Sequence, residues 1–296
     1  MYLQCPLSRE QAHTLVHTAR AQALEQLQTQ IASLHRAQMG PDWIHDTRVL
    51  TKRLRAWNRL LKPEVPDFYV RSEANLKAIG KQLSATRDQT VTQTKLCELT
   101  DLPAVQTLMQ QAAIHCSEQA PEASPRDPHF DPYLCHTLEN ALALEQAHWE
   151  TLTRLSIHSP ERVIHRLHKT INKVTQLARS RHQPSAIEQH HQWRKWAKRL
   201  MFQLQLFEQA GLVATALTPL LKRLKKLTSQ LGDEHDFSVL ADGIAQSRPP
   251  FDRLDSAQAH ALSKKILALQ HRHFKKAKKH HRKLKSSLKA LRQQTQ

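Results

Sequence analysis

The chain has 296 residues, with 44 Lys or Arg against 26 Asp or Glu, a formal charge of +18 at pH 7, and only five glycines. That length holds one large domain or two units of about 150 residues each, and scarce glycine beside abundant Leu, Ala, Gln, Lys and Arg predicts a nearly all-α fold with few tight turns. Such a positive excess repels itself in a compact body unless a polyanion or salt relieves it, which favours phosphate-rich partners.

Apolar residues recurring every three or four positions predict roughly eleven helical segments joined by short polar or proline-bearing connections. Residues 1–6 lack a basic region followed by an apolar run, and no stretch of about 18 consecutive apolar residues occurs, so neither export nor a membrane span is expected. Cys5, Cys97, Cys116 and Cys135 lie far apart. Without a C-x-x-C pair they make neither a zinc ribbon nor a dithiol motif, and a reducing cytosol fits best. His13 and His17 have the i, i+4 spacing that suits two imidazoles on one metal, but no H-E-x-x-H motif, carboxylate pair or cysteine ligand group accompanies them. No metal or cofactor is expected.

The first distinctive pattern, H-x-x-R-x-x-x-K-R-L, spans residues 45–54. On a helix advancing about 100° per residue, His45, Arg48, Lys52, Arg55 and Arg59 fall within a stripe roughly 80° wide, while Leu50, Leu54, Trp57 and Leu61 occupy another sector. One side of this helix is therefore fit for burial and the other for a negative partner. Residues 76–88, from Leu76 to Asp88, form the next segment of interest. Prolines clustered at 121, 125, 128 and 132 then forbid a continuous helix and mark a linker over 121–132.

Beyond the linker the same H-x-x-R-x-x-x-K-R-L pattern returns over 191–200, and Leu224 to Asp236 pairs with Leu76 to Asp88 after a shift of about two residues in register. The chain thus reads as a first helical half (1–120), a linker (121–132) and a second half (133–296). His191, Arg194 and Lys198 keep the stripe, but Met201 and Gln205 replace its last two cations, so the halves are not expected to contribute equally. A single basic face is usually solvated. Surface charge without a shared partner, however, has no reason to recur at one spacing beside the same histidine. The tail from Lys264 holds many cations and no Asp or Glu, with apolar Ile266, Leu269, Leu284, Leu288 and Leu291 at helical spacing. It is expected to be a long basic C-terminal helix, docked on the second half with an exposed cationic face, offering a second phosphate-binding surface, or adhering unspecifically to RNA.

These segments resemble the signature of the CHAD family (conserved histidine α-helical domain). The likeness is carried by His45, Arg48, Val49, Lys52, Arg53, Leu54 and Arg55, followed by Leu83, Arg87, Asp88 and Val91; and by His191, Arg194, Lys198, Arg199 and Leu200, followed by Leu231, Gly232, Asp233, Asp236 and Val239. Departures are Ser84 where glycine is usual, Met201 where arginine is usual, and His235 opposite Arg87. The resemblance implies a single domain over 1–296 made of two four-helix-type bundles related by a pseudo-two-fold axis, with basic side chains lining a central channel that holds inorganic polyphosphate. It also implies association with polyphosphate granules in the cytoplasm, and no enzymatic activity.

The candidate polyphosphate-binding residues are accordingly His45, Arg48, Lys52, Arg53, Arg55, Arg59 and Arg87 in the first copy, with His191, Arg194, Lys198 and Arg199 in the second. Lys77, Lys81, Lys222, Lys225 and Lys226 precede the acidic segments on the same helices and add to the set, as do Lys169 and Lys173, one turn apart. Asp88 and Asp236 are expected just after the third helix of each copy, capping the next helix or holding a channel arginine. His45 and His191 are expected to donate hydrogen bonds to phosphate or to a neighbouring helix, with charge that tunes affinity near pH 6.5. Trp43, Trp57, Trp193 and Trp196 read as core.

A linear polyanion held by several Arg and Lys releases condensed counterions, so affinity should fall steeply with salt. Phosphate or sulfate ions would suit the same side chains. Two rivals belong to other classes. A phosphohydrolase or kinase finds no G-x-x-x-x-G-K-[ST] loop and no E-x-E-x-K element here. A nucleic-acid-binding protein would gain from exposed stacking aromatics, which 5% aromatic content does not favour.

Overall fold

Proline, which lacks an amide donor and has a fixed φ, is well placed where helix amides have no intrahelical acceptor. Helices α2 (Pro41–Leu61), α3 (Pro66–Gln82), α5 (Pro103–Glu118), α6 (Pro132–Glu150) and α7 (Pro160–Leu177) all begin on one. The remaining helices are α1 (Arg9–His35), α4 (Ser84–Cys97), α8 (Ile187–Gln209), α9 (Thr218–Ala245) and α10 (Ser256–Gln294). A computed structural model describes residues 6–35, 41–118, 132–154, 159–179, 187–213 and 217–294, and no strand occurs among the described residues. The expected all-α fold is therefore observed, with ten α-helices among the described residues and 3₁₀ turns at Thr151–Arg154 and Phe251–Arg253.

Two helices start with reciprocal side-chain caps. Ser8 Oγ accepts from the Gln11 amide at 3.1 Å while Gln11 Oε1 accepts from the Ser8 amide at 3.0 Å, and Asp255 and Gln258 repeat the exchange at 2.8 and 3.2 Å before α10.

Helices α1, α2, α3 and α6 pack in a closed ring of four, as do α7, α8, α9 and α10; α2 and α8 pack on each other and join the rings. One apolar core cluster draws on both rings, with members as far apart in sequence as Leu7 and Leu291. A second cluster packs Leu96, Leu99, Val105 and Leu108 of the α4–α5 region against Phe237, Ile244, Phe251 and Leu262, so α4 and α5 lie over α9 and α10. Packing thus interleaves the halves of the sequence: α6 follows the proline segment but joins the first ring, and α5 precedes it but contacts the second. Of the 121–132 linker, residues 121–131 lie outside the described residues.

Each ring holds a carboxylate almost wholly cut off from solvent, Glu145 in the first and Glu234 in the second. Glu145 accepts from Ser72, from Asn75 at 3.0 Å and from the Trp149 indole at 3.0 Å, and burial pushes its carboxyl above the usual range against the pull of those bonds. Glu234 meets His190 Nδ1 at 2.9 Å, and the His190 ring stacks on Phe274 at 4.2 Å. Trp43, Trp57 and Trp193 are core, as expected, whereas Trp196 is half-buried beneath an arginine.

Candidate functional site: an arginine cluster beside the α2–α8 junction

The offset of 146 residues between His45 and His191 places Trp57 opposite Gln203 and Ala56 opposite Phe202. At the α2–α8 junction the Trp57 indole donates to the Phe202 carbonyl at 3.1 Å, and Gln203 Nε2 donates to the Ala56 carbonyl at 3.0 Å. These two bonds are counterparts in the repeat, and they fix the two motif helices against each other through residues off the basic stripe.

Beside this junction, three guanidinium groups gather about one carboxylate. Arg55 donates to Glu73 of α3 through Nε at 3.2 Å and Nη2 at 2.8 Å, and Arg59 Nη2 donates to the same residue at 2.9 Å. Glu73 is buried. Burial by itself raises its carboxyl, but the hydrogen bonds and charge of Arg55 and Arg59 outweigh it and hold the group below the ordinary range. Arg199 enters from α8 with its guanidinium 4.0 Å from the Trp196 ring centroid. Burial, then the charges of Arg59 and Arg55, push it down to about 10 against the pull of Glu73. Its Nη1 is buried and makes no hydrogen bond. One negative charge against three positive ones leaves a surplus of about two where the repeats meet.

Arg48 is committed in part to structure. Its Nη1 donates to the carbonyl oxygens of Leu83 at 2.6 Å and Gly80 at 3.3 Å and lies 3.3 Å from Ser84 Oγ, a cation on the exposed carbonyls where α3 ends. Arg194, its counterpart, lies against Gly232: a Cβ there would sit 3.2 Å from Nη2. The glycine therefore clears space for a guanidinium. Helix α9 continues through this point to Ala245, where α3 has given way to α4. Asp236 consequently lies inside α9, and the expected position after a third helix is corrected, because the second copy has no break there.

Lys52 and Lys198 are half-buried on their stripes and His45 is exposed on α2. His191 stacks obliquely on His235 at 4.1 Å. Burial, then the charges of His235 and Lys195, push it down to about 3, so the expected tuning near pH 6.5 does not hold for His191, which is neutral there. Arg53 turns away from the stripe: its Nη1 donates to Gln26 of α1 at 2.5 Å and its guanidinium lies 5.6 Å from the Phe202 ring centroid. Burial pushes it below the usual arginine value against the pull of Asp46. Arg199, at the equivalent position, does face the cluster, so the two copies use this residue differently.

Lys77 and Lys81 are exposed on α3, one and two turns beyond Glu73, and Lys225 is exposed at the position equivalent to Lys77. Lys222 and Lys226 are also exposed, with Lys226 acting on His280 of α10. Lys169 is exposed on α7, and Lys173 lines an open cavity of about 540 Å³ with Gln176, Leu177, Arg179 and Gln189. Gln189 lies about 180° around α8 from Lys198, so this cavity is on another face. The side chains of Arg87, Asp88 and Val91 lie outside the described residues.

Sequence reasoning missed Glu73, because nothing local marks a carboxylate that pairs with a neighbouring helix. It also missed Lys95, which ties α4 to α9 through Asp233 at 3.0 Å and pairs with Glu98 at 2.7 Å. Burial lowers this lysine, but those bonds outweigh it and hold it above the usual value. Among the described residues no three His, Cys, Asp or Glu gather as metal ligands, and His13 and His17 are both exposed. Neither Cys97 nor Cys135 is joined in a disulfide; Cys5 and the Cys116 side chain lie outside the described residues. Among the described residues no helix is long and apolar enough to cross a membrane.

The CHAD domain family model matches residues 18–245. A crystal structure of the CHAD domain from the plant Ricinus communis has the same fold, with a TM-score of 0.53 and 24% identity over 87% of this chain and 86% of that one. No curated protein matches the chain. A match spanning both H-x-x-R motif helices and most of the helical body makes this chain a member of the CHAD family.

Proposed function

We propose that this protein binds inorganic polyphosphate in a trough beside the α2–α8 junction, lined by the arginine cluster, and that it acts as a binding module without turning its ligand over. The observation that supports this reading above others is the convergence of Arg55, Arg59 and Arg199, from both copies of the motif, on the single carboxylate of Glu73. Arg55 and Arg59 each keep about a third of their side-chain surface exposed, 32% and 33%. Those exposed parts are open to an anion, although Arg59 Nε is buried, and fixed guanidinium forks suit phosphate oxygens. Lys52 and Lys198 extend the same stripes along both helices. A phosphate polymer neutralises several such cations at once and gains from counterion release. The second copy contributes less to direct binding through Arg194 and His191, one packed over Gly232 and the other uncharged. Cytoplasmic polyphosphate granules are the setting this reading implies.

The test is a titration with polyphosphate of several lengths at two salt concentrations. With four or five phosphates engaged, log K should fall against log salt with a slope of about −3 to −4. Replacing Arg55, Arg59 and Arg199 together by glutamine should remove most of the affinity. Unchanged affinity in that variant, or tighter binding to duplex DNA at equal phosphate concentration, would overturn the assignment. Release of orthophosphate by the pure protein with a divalent metal would make it an enzyme instead.

A further inference from the structure

Helix α10 covers the second ring along a line of buried residues that includes Ile266, Phe274, Ala277, Leu284, Leu288 and Leu291. Its opposite face carries Lys264, Arg272, Lys275, Lys279, Arg282 and Lys289, all exposed, within a sector about 100° wide. These six cations span about 38 Å of helix. From residue 256 to the end of the chain there is no Asp or Glu. Among the described residues none of the six pairs with a carboxylate, whereas Lys265 pairs with Asp101 at 2.9 Å and His273 with Asp233 at 3.5 Å. His280 is pushed below its ordinary value by burial and then by Lys226, Lys283 and Lys279, a sign of how densely like charge is packed. The family match ends at residue 245, before this helix begins.

We propose that the outer face of α10 is a second binding site for a linear phosphate polymer, separate from the trough, so that one molecule can hold two chains together. The separation follows from α8, whose Trp193 meets Phe274 and His281 of α10. Trp193 lies about 140° around that helix from Lys198 of the basic stripe. The ligand class follows from what the face offers. Apart from the exposed Leu267 its large apolar residues are spent in the core, so it has little to insert into a membrane. It has no exposed aromatic to stack on bases, Phe274 being buried, which leaves phosphate charge as the feature to recognise.

This inference rests on the proposed choice of ligand but not on the trough, and the test separates the two. The protein is mixed with long polyphosphate near charge equivalence and followed by light scattering, while its affinity for a chain short enough for one site is measured separately. The wild type should cross-link long chains. The variant Arg272→Gln, Lys275→Gln, Lys279→Gln, Arg282→Gln should not, while its short-chain affinity stays within about twofold and its long-chain salt slope becomes shallower by about 3. Glutamine is as good a helix former as lysine, so helicity should be kept. On the unaltered protein, long polyphosphate should protect Lys275 and Lys279 from acetylation. Cross-linking that persists in the variant, unprotected lysines, or stronger cross-linking by duplex DNA at equal phosphate concentration would each overturn the proposal. If the triple trough variant keeps full short-chain affinity, the trough reading fails, and the α10 site is then judged on the α10 variant and the lysine protection alone.

Discussion

Replacing Glu73 by glutamine should make the protein less stable and, on the proposed function, bind polyphosphate more tightly. The carboxylate accepts three charge-assisted hydrogen bonds, two from Arg55 and one from Arg59. Such bonds contribute about 1.5–3 kcal/mol each when buried, but both arginines are about one-third exposed and partly screened, and glutamine keeps a neutral acceptor. A net loss of about 2 kcal/mol is expected, or roughly 3 °C in Tm for a chain of this length. Removing one negative charge about 6 Å from a bound phosphate oxygen, at an effective dielectric near 50, contributes about 1.1 kcal/mol, a factor of about six in affinity at low salt. The assays are thermal unfolding and a polyphosphate titration on both proteins. Because the folded carboxyl titrates below its ordinary value, its stabilisation is present above the unfolded value of about 4.3 and is lost as pH falls through the folded one. The stability gap between wild type and variant should therefore close in acid. Weaker binding by the variant, or a gap independent of pH, would refute the electrostatic account of the cluster.

Two glycines of α9 should respond in opposite senses to alanine, as measured by urea unfolding. At Gly243 the added Cβ would lie 2.9 Å from the buried Phe251 ring, so Gly243→Ala should cost about 1–3 kcal/mol. At Gly232 it meets the movable end of Arg194, so Gly232→Ala should be neutral or gain up to about 1 kcal/mol from helix propensity. His191, with its folded value near 3, should penalise the folded state increasingly as pH falls from about 6.5 toward 3. His191→Gln should flatten that part of the stability profile and leave the pH dependence of polyphosphate affinity between pH 6 and 8 unchanged. Glu234→Leu should cost more than Glu234→Gln by about 1–3 kcal/mol in chemical denaturation, since leucine leaves the buried His190 imidazole without its acceptor.

Much of this protein is decided by local pattern. Helical periodicity with few glycines fixes the fold class, because a helix satisfies its backbone hydrogen bonds within itself and needs only an apolar stripe for docking. The duplicated H-x-x-R-x-x-x-K-R-L motif sets which helices carry cations at matching positions, and its spacing is enough to put Arg55 and Arg59 on one face with Arg48 and Lys52. Tertiary structure alone decided the rest. Glu73 became the centre of the cluster because α3 lies beside α2, and Arg199 rather than Arg53 joined it because the two equivalent positions meet different neighbours. Arg48 became a helix-end clamp because α3 stops at Gln82, and α6 joined the first ring although it follows the linker. Pairings between distant helices depend on how apolar faces pack, and the same stripe can dock in more than one way, so no spacing in the sequence reports which carboxylate a cation will meet.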